Sequence, residues 1–143
     1  MAADAPTLAI SRLHRALEHA DVTLSTQQYR VLALLSEGGA RAGQLAERLA
    51  ITKPTVTSLT DSLVERGFAV RATDDGDRRV VALSITPAGR AAVATTGTAL
   101  RAVLDQVVAR CDDPAAVYAA LDQLAPAIDA WWEERRAAVP ATR

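Results

Sequence analysis

Over the first twenty residues, apolar side chains recur every three or four positions: Ile10, Leu13, Leu17 and Ala20. That spacing predicts a helix from about Pro6 to Ala20. Ser25 followed by Gln28 has the form of a capping box, in which each side chain satisfies a backbone N–H of the first turn. A second helix then runs through Tyr29, Val31, Leu32 and Leu35 until Gly38-Gly39 stops it. The stretch RAGQLAERLA predicts a short helix with Leu45 and Leu49 on one face. Ile51 and Thr52 make a tight turn. Thr52 caps the next helix, and Pro54 sits in its first turn, where a missing N–H costs nothing. That helix runs to Arg66 and ends at Gly67.

The period then changes from 3.6 to 2. Val70 and Ala72 alternate with Arg71 and Thr73, and Val81, Leu83 and Ile85 alternate with Ala82 and Ser84. Asp75-Gly76 between them signals a hairpin, because glycine accepts positive φ and aspartate tolerates it. A two-residue turn there sets Asp74 opposite Asp77, Thr73 opposite Arg78 and Arg71 opposite Val80, with Arg71 and Arg78 on one face. Thr86-Pro87 opens a long helix to about Cys111, striped by Leu100, Val103, Leu104 and Val107. Asp113-Pro114 repeats the device. The last helix carries Val117, Leu121, Leu124, Ile128 and Trp131 at heptad-like spacing, and Pro126 is expected to kink it.

The fold class that follows is mainly α with a small two-stranded β-wing. A winged helix-turn-helix over about 25–86 is flanked by N- and C-terminal helices at 6–20 and 87–138, all within a single subunit of residues 1–143. The outer helices are too long and too apolar for the small unit between them to cover. Packing within one chain is one reading. The other is a homodimer in which Ile10, Leu13, Leu17, Val117, Leu121, Leu124, Ile128 and Trp131 meet a second copy, since helix-turn-helix readers need paired half-sites.

Charge narrows the choice of partner. Sixteen basic residues against seventeen acidic ones give a net charge of −1, so any nucleic-acid surface must be local. Lys53 is the only lysine. A lone cysteine, Cys111, excludes an internal disulfide and a multi-cysteine zinc site. No apolar run approaches the roughly 18 residues of a membrane span, and MAADAPTLAI lacks the basic-then-apolar order of a secretory signal. A cytoplasmic protein with no membrane partner is the expectation. Nucleophile–base sets and glycine-rich phosphate loops are missing too, so neither an enzyme nor a cofactor is expected.

On a helical wheel of Lys53–Arg66, Val56, Leu59 and Leu63 form the inward face. Pro54, Thr57, Ser58, Asp61 and Glu65 lie opposite, flanked by Lys53 and Thr55. Their hydroxyls suit phosphate oxygens and base edges. A plain solvated face is the alternative. From Glu37 to Ile85 there are seven basic and seven acidic residues, so a DNA surface requires the cations to be sorted from the acids. The tip TDDGDRR supplies Asp77, Arg78 and Arg79. Arginine on a narrow projecting hairpin suits the negative potential of a minor groove. An ordinary turn with surface ion pairs is the bland alternative, and its place directly after a helix-turn-helix favours the wing.

The stretch GQLAERLAITKPTVTSLTDSLVERGFAVRATDDGDRRVVALSITPAGR resembles the DNA-binding core of the MarR (multiple antibiotic resistance regulator) family. LAERLAITKPTVT, the LVERGF helix exit, the DDGDRR wing and the TPAG helix start carry the likeness. The resemblance implies a homodimer of triangular shape on double-stranded DNA with a pseudo-palindromic operator. It also implies repression relieved by a small anionic or aromatic effector, or by oxidation. It points to Arg41, Thr52, Lys53, Pro54, Thr55, Thr57, Ser58, Asp61, Arg71, Asp77, Arg78 and Arg79 as the DNA-facing set, with Arg79 at the most regular wing position. Family recognition helices often read TVTR with a second basic residue four positions on; here Ser58 and Ser62 stand at those places. Peroxide-sensing branches carry an early cysteine, which this chain lacks, and Cys111 reads as a small buried or interface residue. His14 and His19 are five apart, and with Cys111 they make a poor metal set. His14 and Arg12 read as surface polar residues, with an anion site as the alternative. Trp131-Trp132 reads as a dimer anchor. The competing function is a winged helix used for protein–protein contact with DNA binding lost.

Overall fold

A computed structural model describes residues 4–74 and 77–138, and the side chains among them except those of 73–81. Two compact units divide the chain after Val103. In the first, α1 (Ala5–Glu18) starts where Asp4 Oδ1 accepts from the Thr7 N–H at 2.8 Å. Hydrogen bonds from the Thr7 hydroxyl and from its N–H hold the Asp4 carboxyl below its ordinary range. The Ser25/Gln28 box forms in both halves, with Ser25 Oγ accepting from the Gln28 N–H at 3.2 Å and Gln28 Oε1 accepting from the Ser25 N–H at 3.1 Å. It opens α2 (Thr26–Glu37).

After a two-residue strand β1 (Ala40–Arg41), α3 (Ala42–Leu49) turns into α4 (Lys53–Glu65) through Ala50, whose backbone is left-handed at φ 54°, ψ 43°. Thr52 Oγ1 caps α4 by accepting from the Thr55 N–H at 3.3 Å. Gly67, at φ 74°, ends it in a conformation that costs other residues more. Val31, Leu32, Leu35, Leu45, Val56 and Leu63 are at most 2% exposed and form one core with Leu83 and Ile85. At about 1.5–3 kcal/mol for each large aliphatic side chain buried, this cluster drives the folding of the unit. Thr60 is buried on the inward face of α4 as well, its hydroxyl donating to Thr57 O at 3.0 Å.

Strands β2 (Ala69–Asp74) and β3 (Asp77–Ile85) form the hairpin, and β1 joins its far side in the order β1-β3-β2. The third strand is an addition to the two expected, since two residues are too few to show an alternation. The register also corrects the sequence reading. Arg71 lies opposite Leu83 and Thr73 opposite Val81, whereas Val80 and Arg78 were expected. Asp74 does lie opposite Asp77, and the register shifts between Thr73 and Asp74. The base of the hairpin decides the outcome. Ala69 and Ile85 pair there, are both buried, and fix the strands from the core outward. Residues 78–80 are absorbed as a bulge-like irregularity. The turn at Asp75-Gly76 lies outside the described residues.

The Thr86 hydroxyl makes the joint into α5 (Pro87–Val108). It accepts from the Gly89 N–H at 3.0 Å and donates to Gly67 O at 2.7 Å, while the Thr86 N–H donates to Phe68 O at 3.0 Å. A Cβ on Gly89 would lie 2.1 Å from Phe68 O, so helix and strand meet there only because the side chain is absent.

The second unit begins at Leu104. In it the helix ends at Val108, short of the expected Cys111, in a turn closed by the Arg110 and Cys111 N–H groups. Asp113 Oδ1 accepts from the Ala116 N–H at 3.0 Å and starts α6 (Pro114–Ala138), which continues through Pro126. The Tyr118 hydroxyl donates to Asp105. Val108 is buried, Val117 and Leu121 are half-buried, and α6 buries no residue fully.

Candidate nucleic-acid interface

Burying Val56, Thr60 and Leu63 turns the opposite face of α4 outward. Lys53, Pro54, Thr57, Ser58 and Asp61 are exposed there, as is the cap Thr52, and Thr55 is half-buried at its edge. The hydroxyls are partly committed. Thr55 and Thr52 share a hydrogen bond of 2.8 Å, and Thr57 donates to Lys53 O at 3.1 Å, which leaves its lone pairs to accept. Ser62 turns away from this face. It is half-buried and accepts from Gln28 Nε2 of α2 at 3.3 Å.

The cations sort by role. Arg71 reaches from β2 across to α4 and bonds Asp61, joining the wing strand to the polar helix face. An exposed pair of this kind contributes less than about 1 kcal/mol. Its larger effect is to neutralise the carboxylate that the polar face presents. Arg48 bonds Glu37 at 2.6 Å. Arg66 donates to Thr23 O at 2.8 Å and to Gln28 Oε1 at 3.2 Å, and its guanidinium lies 4.7 Å from the centre of the Phe68 ring. Two of the seven acids, Glu37 and Asp61, are thus answered within the chain. Arg41 is exposed on β1, at the entry to α3. The side chains of Asp77, Arg78 and Arg79 lie outside the described residues.

A cavity of about 530 Å³ opens where α1, the segment leading into α2 and α5 meet. Leu17, Val22, Leu24 and Leu100 give it apolar walls, and the first turn of α2 contributes Ser25 to Gln27. His14 and Glu18, 3.4 Å apart, stand on its α1 side. Thr96 is 1% exposed, and its Oγ1 meets no hydrogen-bond partner among the described residues. A hydroxyl left so costs about 1–3 kcal/mol. Nothing in the residue pattern pointed to this, because a threonine inside a helix reads the same whether or not its hydroxyl is answered. The second role of Gln28, as a link to Ser62, was equally silent behind its capping role.

Cys111 is exposed, which corrects the buried reading, since the helix stops three residues before it. Trp131 is 48% exposed, with Trp132 edge-on at 4.7 Å and Arg135 over its ring. Among the described residues, no group of three His, Cys, Asp or Glu is placed to hold a metal ion. No described helix is long and apolar enough to cross a membrane.

Two packed helices joined by a short turn, the second with an outward polar face and a strand hairpin after it, define a winged helix-turn-helix. Residues 21–80 match the MarR family. The chain is 34% identical over 70 residues to an HTH-type transcriptional regulator, YpoP, of Bacillus subtilis, across 48% of this chain and 50% of YpoP. It spans about half the length of the curated relatives it matches. Its fold is similar to that of the transcriptional repressor CouR bound to a 23-mer DNA duplex, at TM-score 0.73 and 28% identity over 87% of this chain and 89% of CouR. It is also similar to Bordetella bronchiseptica BpsR, whose DNA binding is regulated by 6-hydroxynicotinic acid. There the TM-score is 0.67 and the identity 23%, over 88% of this chain and 94% of BpsR. The match to the MarR family thus covers the winged-helix core, and the fold around it is shared with a transcriptional repressor of solved structure.

Proposed function

We propose that this protein is a homodimeric, sequence-specific DNA-binding regulator of transcription, acting in the cytoplasm as a repressor that a small molecule releases. The observation that carries the reading is the polar face of α4 tied to the wing strand by Arg71 and Asp61. Helix and hairpin are held as one surface, with Lys53, Thr57 and Ser58 facing outward and Arg41 beside α3. Similarity to a repressor bound to a DNA duplex supports the choice of partner. The effector is supported by the cavity beneath α1 and by the ligand control of BpsR. Uncovered apolar residues on α1 and α6 support the second copy, and paired recognition helices then call for a pseudo-palindromic operator.

The wing carries much of the affinity in this reading, because Ser58 stands on the outward face where a basic residue is common in the family, and Ser62 is turned away from it. A dimer presents Arg78 and Arg79 twice. Replacing both by Ala is expected to weaken operator binding by several-fold to about a hundredfold, at roughly 1 kcal/mol per charge-assisted hydrogen bond. The salt dependence should flatten by about 0.9 for each phosphate that is no longer neutralised. Binding titrations across a salt series check this. Equal affinity and equal slope for the double variant would remove the wing from the interface.

A further inference from the structure

The hydrogen bonds of α4 decide what its outward hydroxyls can offer. The Thr57 hydroxyl spends its one proton on Lys53 O at 3.1 Å. Thr57 is exposed, so what it presents to a partner is an acceptor oxygen beside a methyl group. Asp61 lies one turn further on, on the same side of the helix and about 5.4 Å along it. Its carboxylate also only accepts, and Arg71 holds it in place. The exposed Ser58 hydroxyl can donate or accept, and so favours no base. Lys53, at the first position of the helix, is a flexible point charge suited to a phosphate.

The first turns of a recognition helix are the ones that meet base edges in the major groove. Guanine shows two acceptors there, N7 and O6, and thymine shows O4. Adenine N6 and cytosine N4 carry the amino donors. A guanine edge would set acceptor against acceptor at Thr57 and again at Asp61. An amino group in the same place answers the Thr57 oxygen. We propose that Thr57 is a specificity-determining residue, which accepts a hydrogen bond from the exocyclic amino group of an adenine or a cytosine in each half-site. This rests on the proposed regulator function and names the base chemistry that the helix reads in place of guanine.

The test enriches duplexes from a randomised pool with the full-length protein, then measures binding to single-base variants of the selected site. One position in each half-site is expected to require adenine or cytosine, with a loss of about two- to tenfold when guanine or thymine replaces it. Thr57→Val keeps the shape and removes the acceptor. It should make that position indifferent and leave the other preferences as they were. Thr57→Ser should keep the preference. Analogues without the amino group, purine for adenine and 2-pyrimidinone for cytosine, tell which of the two bases is read. The analogue should weaken the wild type by about two- to tenfold beyond its effect on Thr57→Val. The proposal is overturned if Thr57→Val keeps every base preference, or if the position it relaxes is guanine or thymine. It is overturned equally if Thr57→Ser loses the preference, or if the analogue acts alike on both proteins. In each of those cases the protein still selects a site, and the regulator reading stands. Enrichment of no sequence by the wild type refutes both.

Discussion

Helices α4 and α6 both carry apolar residues at regular helical spacing, and only α4 buries them. Val56 and Leu63 are 0% exposed, while Leu124, Ile128 and Trp131 remain 49%, 45% and 48% exposed. The difference lies in what surrounds each helix. Around α4 the chain supplies α2, α3 and the sheet. In the other unit, Val117 and Leu121 of α6 are half-buried and the rest of the stripe is exposed. Helix α1 is like α6, with Ile10 at 70% exposure and no buried residue. Apolar periodicity therefore tells which side of a helix seeks cover, and not whether its own chain provides it. In the proposed homodimer, this row of exposed large side chains is the face that meets the second copy.

The strongest way to break the contrast is to charge the uncovered stripe. In the proposed homodimer, Leu124→Glu with Ile128→Glu should weaken self-association by about a hundredfold or more, since both carboxylates would be desolvated at the interface. Each protomer should keep its helical content. Sedimentation at micromolar concentration reads the outcome. An unchanged dimer would show that α6 contributes nothing to it.

A second change sharpens the other half of the contrast. Gly89 sits where α5 leaves the winged unit, and its missing side chain admits Phe68 O. Gly89→Ala should destabilise the folded protein by about 3 kcal/mol, because backbone rather than a flexible side chain must give way. Urea unfolding measures it, and the self-association should respond far less than to the α6 charges. A loss below about 0.5 kcal/mol would mean that the joint relaxes freely.

Local chemistry made most of this legible. Thr52 with Pro54, Ser25 with Gln28, and Thr86 with Pro87 mark helix starts through hydrogen bonds that span three residues, and each is found in place. The change of period at Val70 located the hairpin for the same reason. What escaped depends on partners distant in sequence. Arg71 and Asp61 both stand in the expected DNA-facing set, and their ion pair exists only because β2 returns beside α4. The register was argued from the tip, where a short turn would govern, but the buried pair Ala69 and Ile85 governs it from the base. Thr96 and Gln28 acquire their significance only when α1, α2, α4 and α5 are brought near one another.

The smallest effect concerns the turn between α3 and α4, where the buried half of the molecule carries a local cost. Ala50 is the only described non-glycine residue with positive φ. Its N–H still closes α3 onto Glu47 O at 3.3 Å, and the Ile51 N–H reaches Ala46 O at 3.1 Å, so the helix ending holds the left-handed backbone in place. That backbone costs an L-residue about 1–2 kcal/mol. Glycine avoids the cost but gives up about 0.4–1 kcal/mol through the greater freedom of its unfolded chain. Ala50→Gly should therefore stabilise the protein by roughly 0.5–1 kcal/mol. Ala50→Val should act in the opposite sense, because a β-branched side chain tolerates this region worse. The side chain is exposed and the turn is unchanged, so DNA affinity should stay the same in Ala50→Gly. Thermal and urea unfolding of the two variants check the sign. A glycine variant less stable than the wild type would mean that the Ala50 methyl group packs usefully against the turn, and that the strain assigned to it is not there to be relieved.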